Sequence, residues 1–368
     1  MLTENAGMAA ILALNAGSSS LKFQLARPGG ALLFMGGAQG FGQPDGALTI
    51  KDANDRTILN APCASLHDAA HVVLNFVHAQ GFGLSAIGHR IVHGGPEITT
   101  HCVINAAIRQ ALERSSLLAP LHNPPALDVL DQAQKIFPDV PQVACLDTAF
   151  HVTLPASATR FPLPHAVLDG GIRRYGFHGL SCESILAQLH PVPPRLVIAH
   201  MGGGASVTAI RNGCSVDTSM GLTPIGGVIM ETRSGDLDPG LLIYLMRRGQ
   251  TVDSLERLLN RESGIAGISG HGGDPRGLHA VADKDGRLAL DMFASSIAKS
   301  IVGMATTLNG LDLLVFTGGI GEHDMGMRES ILGKLAWLGS VPAAVMPAQE
   351  EAVMLRHCAR LVGGAKRA

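Results

Sequence analysis

Two stretches decide the fold: ILALNAGSSSLKFQLA, Ile11–Ala26, and LVIAHMGGGASVTAI, Leu196–Ile210. Each is an apolar run of strand length, a turn of small residues, and a second apolar run. In the first, Ile11–Leu14 leads into Gly17–Ser20, then Leu21–Ala26, then a glycine turn at Pro28–Gly30. In the second, Leu196–Ala199 leads into Gly202–Gly204, then Ser206–Ile210, then Asn212–Gly213. One unit written twice, half a chain apart, predicts a duplicated domain with its ligand between the halves.

Working outward, further strands are expected at Ala10–Leu14, Ile87–Val92, Gln142–Leu146 and Leu313–Thr317, each short and apolar. Helices are expected at His67–Ala79, Ala106–Leu117, Pro125–Phe137, Pro239–Arg248 and Leu290–Asn309. The fourth is fully punctuated: Asp238 to cap it, proline at its first position, two arginines in its last turn and Gly249 to stop it. Strands alternating with helices make the class α/β. The proline-rich Pro155–Pro164 is the expected crossing between domains.

The chain has 368 residues, 46% of them hydrophobic, enough for two domain cores. Its net charge of −2, from 28 basic and 30 acidic residues, gives no field to draw nucleic acid or an anionic membrane. An anion must then be gripped by a local site. The six cysteines show no C-x-x-C pair, so they are expected as reduced, buried residues. Glu4 precedes the apolar Met8–Leu14 without a basic segment, which reads as a strand and not as a signal peptide. Apolar stretches such as Ala69–His89 are interrupted by polar residues. A cytoplasmic small-molecule enzyme is expected.

The P-loop and dinucleotide fingerprints are both missing from the sequence, as are H-E-x-x-H and G-x-S-x-G. Three other loops are suited to phosphate. NAGSSSLK, Asn15–Lys22, offers backbone N–H groups, hydroxyls and a lysine; an ordinary hairpin turn is the plain alternative. AHMGGGAS, Ala199–Ser206, and FTGGIGE, Phe316–Glu322, put side-chain-free backbone after apolar strands, where nucleotides sit in open α/β sheets. Three further segments are cationic: HRIVHGG at His89–Gly95, RRYGFHG at Arg173–Gly179 and TRSGDLDPG at Thr232–Gly240. Arginine beside glycine can reach an anion and grip it with a planar fork, although any one of them alone also reads as a surface arginine. LDTAFH, Leu146–His151, ends a strand with Asp147, a carboxylate that needs a partner or a task. A structural ion pair fits it equally well.

NAGSSSLK, HRIVHGG, LHNP, LDTAFH, RRYGFHG, TRSGDLDP and FTGGIGE stand in the order seen in acetate kinases, and the chain resembles that family from Asn15 to its end. The resemblance implies two duplicated ribonuclease-H-like domains around a central cleft, as in sugar kinases, actin and heat-shock ATPases. It places residues 1–148 with 350–368 in the first domain and 149–349 in the second, nucleotide-binding one. It implies transfer of a phosphoryl group from ATP to acetate, with Mg²⁺ or Mn²⁺ as cofactor and a homodimer as the assembly. Asn15 and Glu350 would contact the metal, directly or through water. Lys22, His200, Met201, Gly202, Gly203, Gly204, Asp274, Pro275, Arg276, Gly319, Ile320, Gly321, Glu322 and His323 would contact ATP. Arg90 would bind the carboxylate, His178 and Arg233 would stabilise the transition state, and Asp147 would be the active-site acid. Val92, Leu121, His122, Phe177 and Pro224 would line the substrate pocket.

The chain departs from the family pattern at four places, two in the nucleotide loops and two just before Arg233. Gly203 and His323 replace asparagines, Gly226 replaces a glutamate, and Glu231 replaces a glycine. A propionate or butyrate kinase, or a pyrophosphate-dependent enzyme, is the alternative within the family's chemistry. An actin-like or chaperone-like ATP-binding module is the alternative outside it, and it gives no reason for Arg90, Arg173, Arg174, His178 and Arg233 to sit in anion-ready contexts.

Overall fold

The computed structural model describes residues 9–17, 20–41, 46–280 and 283–365. Ser18 and Ser19 of the NAGSSSLK turn, Glu4 and Met8, and residues 366–368 of the first-domain assignment lie outside the described residues. The chain divides into two compact units, Met1–Ala149 with Gln349–Ala368, and Phe150–Ala348. The division falls ahead of Pro155–Pro164, which lies inside the second unit and carries the short helix Ala156–Thr159.

The first unit holds β1 (Ala10–Ala16), β2 (Ser20–Ala26), β3 (Leu32–Gln39), β4 (Ala47–Asp52), β5 (Thr57–Pro62), β6 (Leu84–Ile91), β7 (Cys102–Val103) and β8 (Gln142–Leu146). They form one sheet in the order β5-β4-β3-β2-β1-β6-β8-β7. β1 is antiparallel to β2 but parallel to β6, and β6 is parallel to β8. Every residue of β1 is buried, as a strand covered on both faces must be. Helices Leu66–Ala79 and Asn123–Ile136 pack with Leu12, Leu14, Ile87, Ile91, Ala144 and Leu146 in one core. Side chains alternate across a strand, so Ala13, Gly88 and Cys145 face the other way. There a Cβ on Gly88 would lie 2.6 Å from Cys358 Sγ, which belongs to the helix Glu350–Ala365.

In the second unit lie β9 (Arg195–Met201), β10 (Ala205–Arg211), β11 (Cys214–Thr218), β12 (Leu313–Thr317) and β13 (Ala343–Val345), in the order β11-β10-β9-β12-β13. Pairing is antiparallel from β11 to β9 and parallel from β9 to β13. This repeats β3-β2-β1-β6-β8 of the first unit strand for strand, which is the duplication expected from the sequence. Helix Gly179–Leu186 packs Cys182 and Ile185 on Leu196, Ile198, Ile210 and Val315. Helix Lys284–Leu308 has the length and hydropathy of a membrane span. It buries Ala289, Phe293, Ile297, Ile301, Met304 and Leu308 and packs on β9 and β10, which is the stripe of a core helix.

Several boundaries differ from expectation for local reasons. The long helix starts at Lys284 and not Leu290, because Asp283 caps it by accepting from the N–H of Gly286. β3 passes through Gly36 and Gly37; a Cβ on Gly37 would press to 2.6 Å from the Leu21 carbonyl of β2. FTGGIGE is not an open loop. After β12 it coils at once into the helix Gly318–His323, with Gly318 at φ +79°. The six cysteines are free thiols, five of them at least partly covered, with Cys214 exposed.

Candidate active site

Alternation along three neighbouring parallel strands sets the polar cluster of the first unit. Asn15 follows Ala13 on β1, Arg90 follows Gly88 on β6, and Asp147 follows Cys145 just past β8, so all three face the C-terminal helix. Arg90 donates from Nε to both carboxylate oxygens of Asp147 (3.2 and 3.1 Å) and from a terminal nitrogen to Oδ2 (2.6 Å). Its other terminal nitrogen donates to Asn15 Oδ1 at 3.1 Å. The Asn15 amide in turn donates to Glu350 (2.8 Å) and Glu351 (2.7 Å), in the first turn of the helix.

Asp147 is 1% exposed, and such burial is tolerable because Arg90 is there. Burial disfavours the Arg90 cation, but the carboxylates of Asp147, Glu350 and Glu351 outweigh it and hold the proton more tightly. Glu351 is pushed up by burial and then by the charge of Glu350, with Asn15 and Lys22 opposing. Three carboxylates around one guanidinium leave an excess of negative charge. Hard oxygen donors with such an excess suit a divalent cation of the magnesium type. Val92 is buried just beyond β6, and Leu121 and His122 are half-buried ahead of helix Asn123–Ile136. Asn123 fixes that corner, accepting from the N–H of His93 and donating to its carbonyl and to Ser115.

The second unit builds its cluster on a tie from His151. Its Nε2 is 2.8 Å from the Phe177 carbonyl, an acceptor only, so Nε2 carries the proton and Nδ1 accepts from Ser215. Burial lowers its pKa to about 4. Gly176 has φ +74°, and a Cβ there would strike the His151 ring at 2.7 Å. The segment thereby carries His178 into a left-handed conformation at φ +59°, at the start of helix Gly179–Leu186. His178 Nδ1 bonds Ser206 Oγ at 2.9 Å, and its ring stacks on His200 at 4.2 Å. His200 is held by Ser181.

A Cβ on Gly204 would lie 3.2 Å from His178 Nε2 and 3.4 Å from an Arg233 terminal nitrogen, so both groups converge on this glycine. The same Arg233 nitrogen donates to the Pro224 carbonyl at 3.1 Å. β9 and β12 are parallel neighbours, so Gly202 and Gly319 meet at their ends: a Cβ on Gly202 would be 3.8 Å from the Gly319 N–H nitrogen. Met201 and Ile320 are buried and offer backbone only.

Other expected residues are differently employed. Asp274 caps the turn Pro275–Leu278 and pairs with Arg276 at 2.7 Å, which holds its carboxyl below the usual range. Glu322 turns back to accept from the N–H groups of Gly318 and Ala348, closing its own helix, while His323 is exposed. Arg174 is not anion-ready: it donates to the carbonyls of Ala158, Thr218, Ser219 and Met220. Arg173 lies over the Tyr175 ring. Glu351, Ser206 and His151 as a tie were not singled out in the sequence; Glu351 was visible only as the second of two adjacent glutamates.

Residues 10–352 match the model of the Acetokinase family. The chain is 38% identical to the acetate kinase of Oceanobacillus iheyensis over 97% of its length and 99% of that relative. Among solved structures, the propionate kinase of Francisella tularensis superposes with a TM-score of 0.87 at 34% identity, covering 95% of this chain and 99% of that one. The acetate kinase of Porphyromonas gingivalis superposes with a TM-score of 0.82 at 32% identity, covering 96% and 100%. Sequence identity over nearly the whole chain, a matching fold and the motifs at its strand ends agree: this chain belongs to the acetokinase family.

Proposed function

We propose that this chain transfers the γ-phosphoryl group of ATP to acetate, giving acetyl phosphate and ADP. The convergence of His178 Nε2 and an Arg233 nitrogen on Gly204 is the observation that supports it most. Two cationic or hydrogen-bond-donating groups meet where a glycine leaves room for a transferring phosphoryl group.

Acetate is already ionised at neutral pH, with a carboxyl pKa near ~4, so the reaction needs no strong base. The obstacle is charge: two unit charges ~4 Å apart repel by about 4 kcal/mol at an effective dielectric near 20. Arg90 takes the carboxylate. Of the five guanidinium N–H groups, Asp147 occupies two and Asn15 one, which leaves two for the substrate. Asp147 acts by orienting Arg90 and not as a proton acceptor. Arg233 and His178 neutralise the transferring group, and the Gly202–Gly204 turn with Gly319, Ile320, Gly321 and Lys22 takes the remaining phosphates. Asp274–Arg276 and His323 lie toward the nucleoside. Val92, Leu121, His122, Phe177 and Pro224 shape the pocket for the methyl group.

Glu350, with Asn15 beside it, holds Mg²⁺, or Mn²⁺ in its place. When bound, the ion offsets phosphate charge. Residues 1–148 with 350–368 form the first domain and 149–349 the nucleotide-binding one, and the enzyme works as a cytoplasmic homodimer. The test is to trap acyl phosphate with hydroxylamine, offering acetate, propionate and butyrate with ATP or pyrophosphate. Hydroxamate from acetate and Mg-ATP is expected to form fastest. ATP hydrolysis without hydroxamate would replace this reading with that of an ATPase module. Propionate is the second candidate acid, since the Francisella relative is named a propionate kinase.

A further inference from the structure

The glycine turn of the second unit has an acid against it. A Cβ on Gly203 would lie 3.5 Å from Glu231 Oε2 and 3.8 Å from its Cδ, with no other atom of a described residue within 4 Å apart from its chain neighbours. The Glu231 carboxylate therefore stands in the space that a side chain at position 203 would fill. Its backbone is fixed: its carbonyl accepts from Ala266 N–H, and a Cβ on Gly273 would press to 2.6 Å from that carbonyl. Its carboxylate, by contrast, makes no hydrogen bond or ion pair with any described residue. Burial first, and then the charge of Asp274, disfavour its anion and hold its carboxyl above the usual range, while Arg276 and Arg233 favour the anion. Arg276 is committed to Asp274, and Arg233 donates to the Pro224 carbonyl. An anion beside a polyphosphate turn, with neither arginine spent on it, adds repulsion to whatever the turn binds.

We propose that Glu231 is a specificity-determining residue for the phosphoryl donor: its carboxylate penalises donors in proportion to their negative charge, and so selects metal-complexed over uncomplexed polyphosphate. This rests on the Gly202–Gly204 turn holding the donor's phosphates. Two charges ~7 Å apart interact by roughly 0.6 to 2.4 kcal/mol between dielectrics of 80 and 20. That is about three- to fifty-fold in binding.

The test measures nucleotide binding by calorimetry on the full chain, with ATP alone and with Mg-ATP, for wild type and Glu231→Gln. The neutral isostere is expected to tighten ATP by about three- to fifty-fold and Mg-ATP by less, with donor KM falling more than acetate KM. Equal tightening of both forms, no change, or weaker binding in Glu231→Gln each overturns the proposal, the last because it would make Glu231 a ligand. Gly203→Asn supplies the second arm. It is expected to tighten ATP beside Glu231→Gly, where its amide is left to the phosphates, and not in the wild-type background, where the amide donates to the Glu231 carboxylate. Indifference of Gly203→Asn to the residue at 231 also counts against it. Binding is read without turnover, so a chain that binds ATP but makes no acyl phosphate sinks the proposed function and leaves this result standing.

Discussion

The two units carry the same strand order but equip it differently. At the ends of β1, β6 and β8 the first unit places side chains: Asn15, Arg90 and Asp147, joined by Glu350 and Glu351. At the corresponding ends of β9 and β12 the second places backbone: Gly202–Gly204 and Gly318–Gly319, with His178 and Arg233 brought in from other segments. Parallel neighbours end together in both cases, so topology delivers the location, and residue type decides what can bind there. A carboxylate-rich cluster suits a cation and a small acid held through Arg90. Bare backbone suits phosphates.

The contrast breaks hardest at the arginines. Arg90→Ala and Arg233→Ala are each expected to slow turnover roughly 10³–10⁵-fold, as for arginines that offset transition-state charge elsewhere. Lysine should restore little at position 90, because two of the donors there are committed to Asp147 and one to Asn15, a geometry that needs the planar fork. Near-normal hydroxamate formation by either alanine variant removes that arginine from the mechanism.

A smaller effect comes from two buried histidines, one in each unit. Burial lowers both His89 and His151 to about 4. Between that value and the unfolded ~6.5 the unfolded chain binds more protons, so stability rises with pH across the interval and is lost as pH falls toward 4. Each contributes about 3 kcal/mol at neutral pH by this linkage. The units differ in detail: His151 uses both ring nitrogens, whereas His89 bonds Gln142 through Nε2 and its buried Nδ1 has no partner among the described residues. The urea midpoint should drop steadily from pH 6.5 to 4.5, while the ring resonances of both residues stay neutral above pH 5. A flat midpoint, or titration near 6.5, contradicts this.

The same contrast explains what was legible in the sequence. A charged residue at a strand end stands out, because a charge after an apolar run has no packing reason to be there, and Asp147 was visible in this way; Arg90 was visible instead as an arginine close to glycines. Backbone sites are ambiguous. Glycine at 318–321 reads as a loop, yet the chain coils there at once into a helix. Arg174 misleads for the opposite reason, since local sequence does not reveal that four carbonyls will surround a guanidinium. Glu351 required knowing that one amide has two N–H groups and that both glutamates open the same helix.

If the second unit depends on backbone, its glycines should be unequal. Gly318 holds φ +79°, and a Cβ would lie 2.7 Å from the Met201 carbonyl, whereas a Cβ on Gly319 would have no atom of a described residue within 4 Å apart from its own helix and chain neighbours. Gly318→Ala should cost about 1–3 kcal/mol of stability. Gly319→Ala should be near neutral in the same thermal melt. Equal melting temperatures for the two variants would show that the backbone at this strand end is not constrained as described.

The mildest effect concerns the acid. Val92 is 4% exposed just beyond β6, and Leu121 and His122 are half-buried. Phe177 is a poorer handle, because its carbonyl is tied to His151 and the next residue is His178. If Val92 lines the proposed acid pocket, cutting it to alanine enlarges the space for the alkyl group. One methylene in an apolar pocket is worth ~1–3 kcal/mol at most. Relaxation of neighbours reduces that, so the propionate/acetate ratio of kcat/KM should rise by a few-fold to roughly tenfold. Measured side by side with both acids, an unchanged ratio would place Val92 outside the pocket, leaving the acid's size to be read elsewhere than at the end of β6.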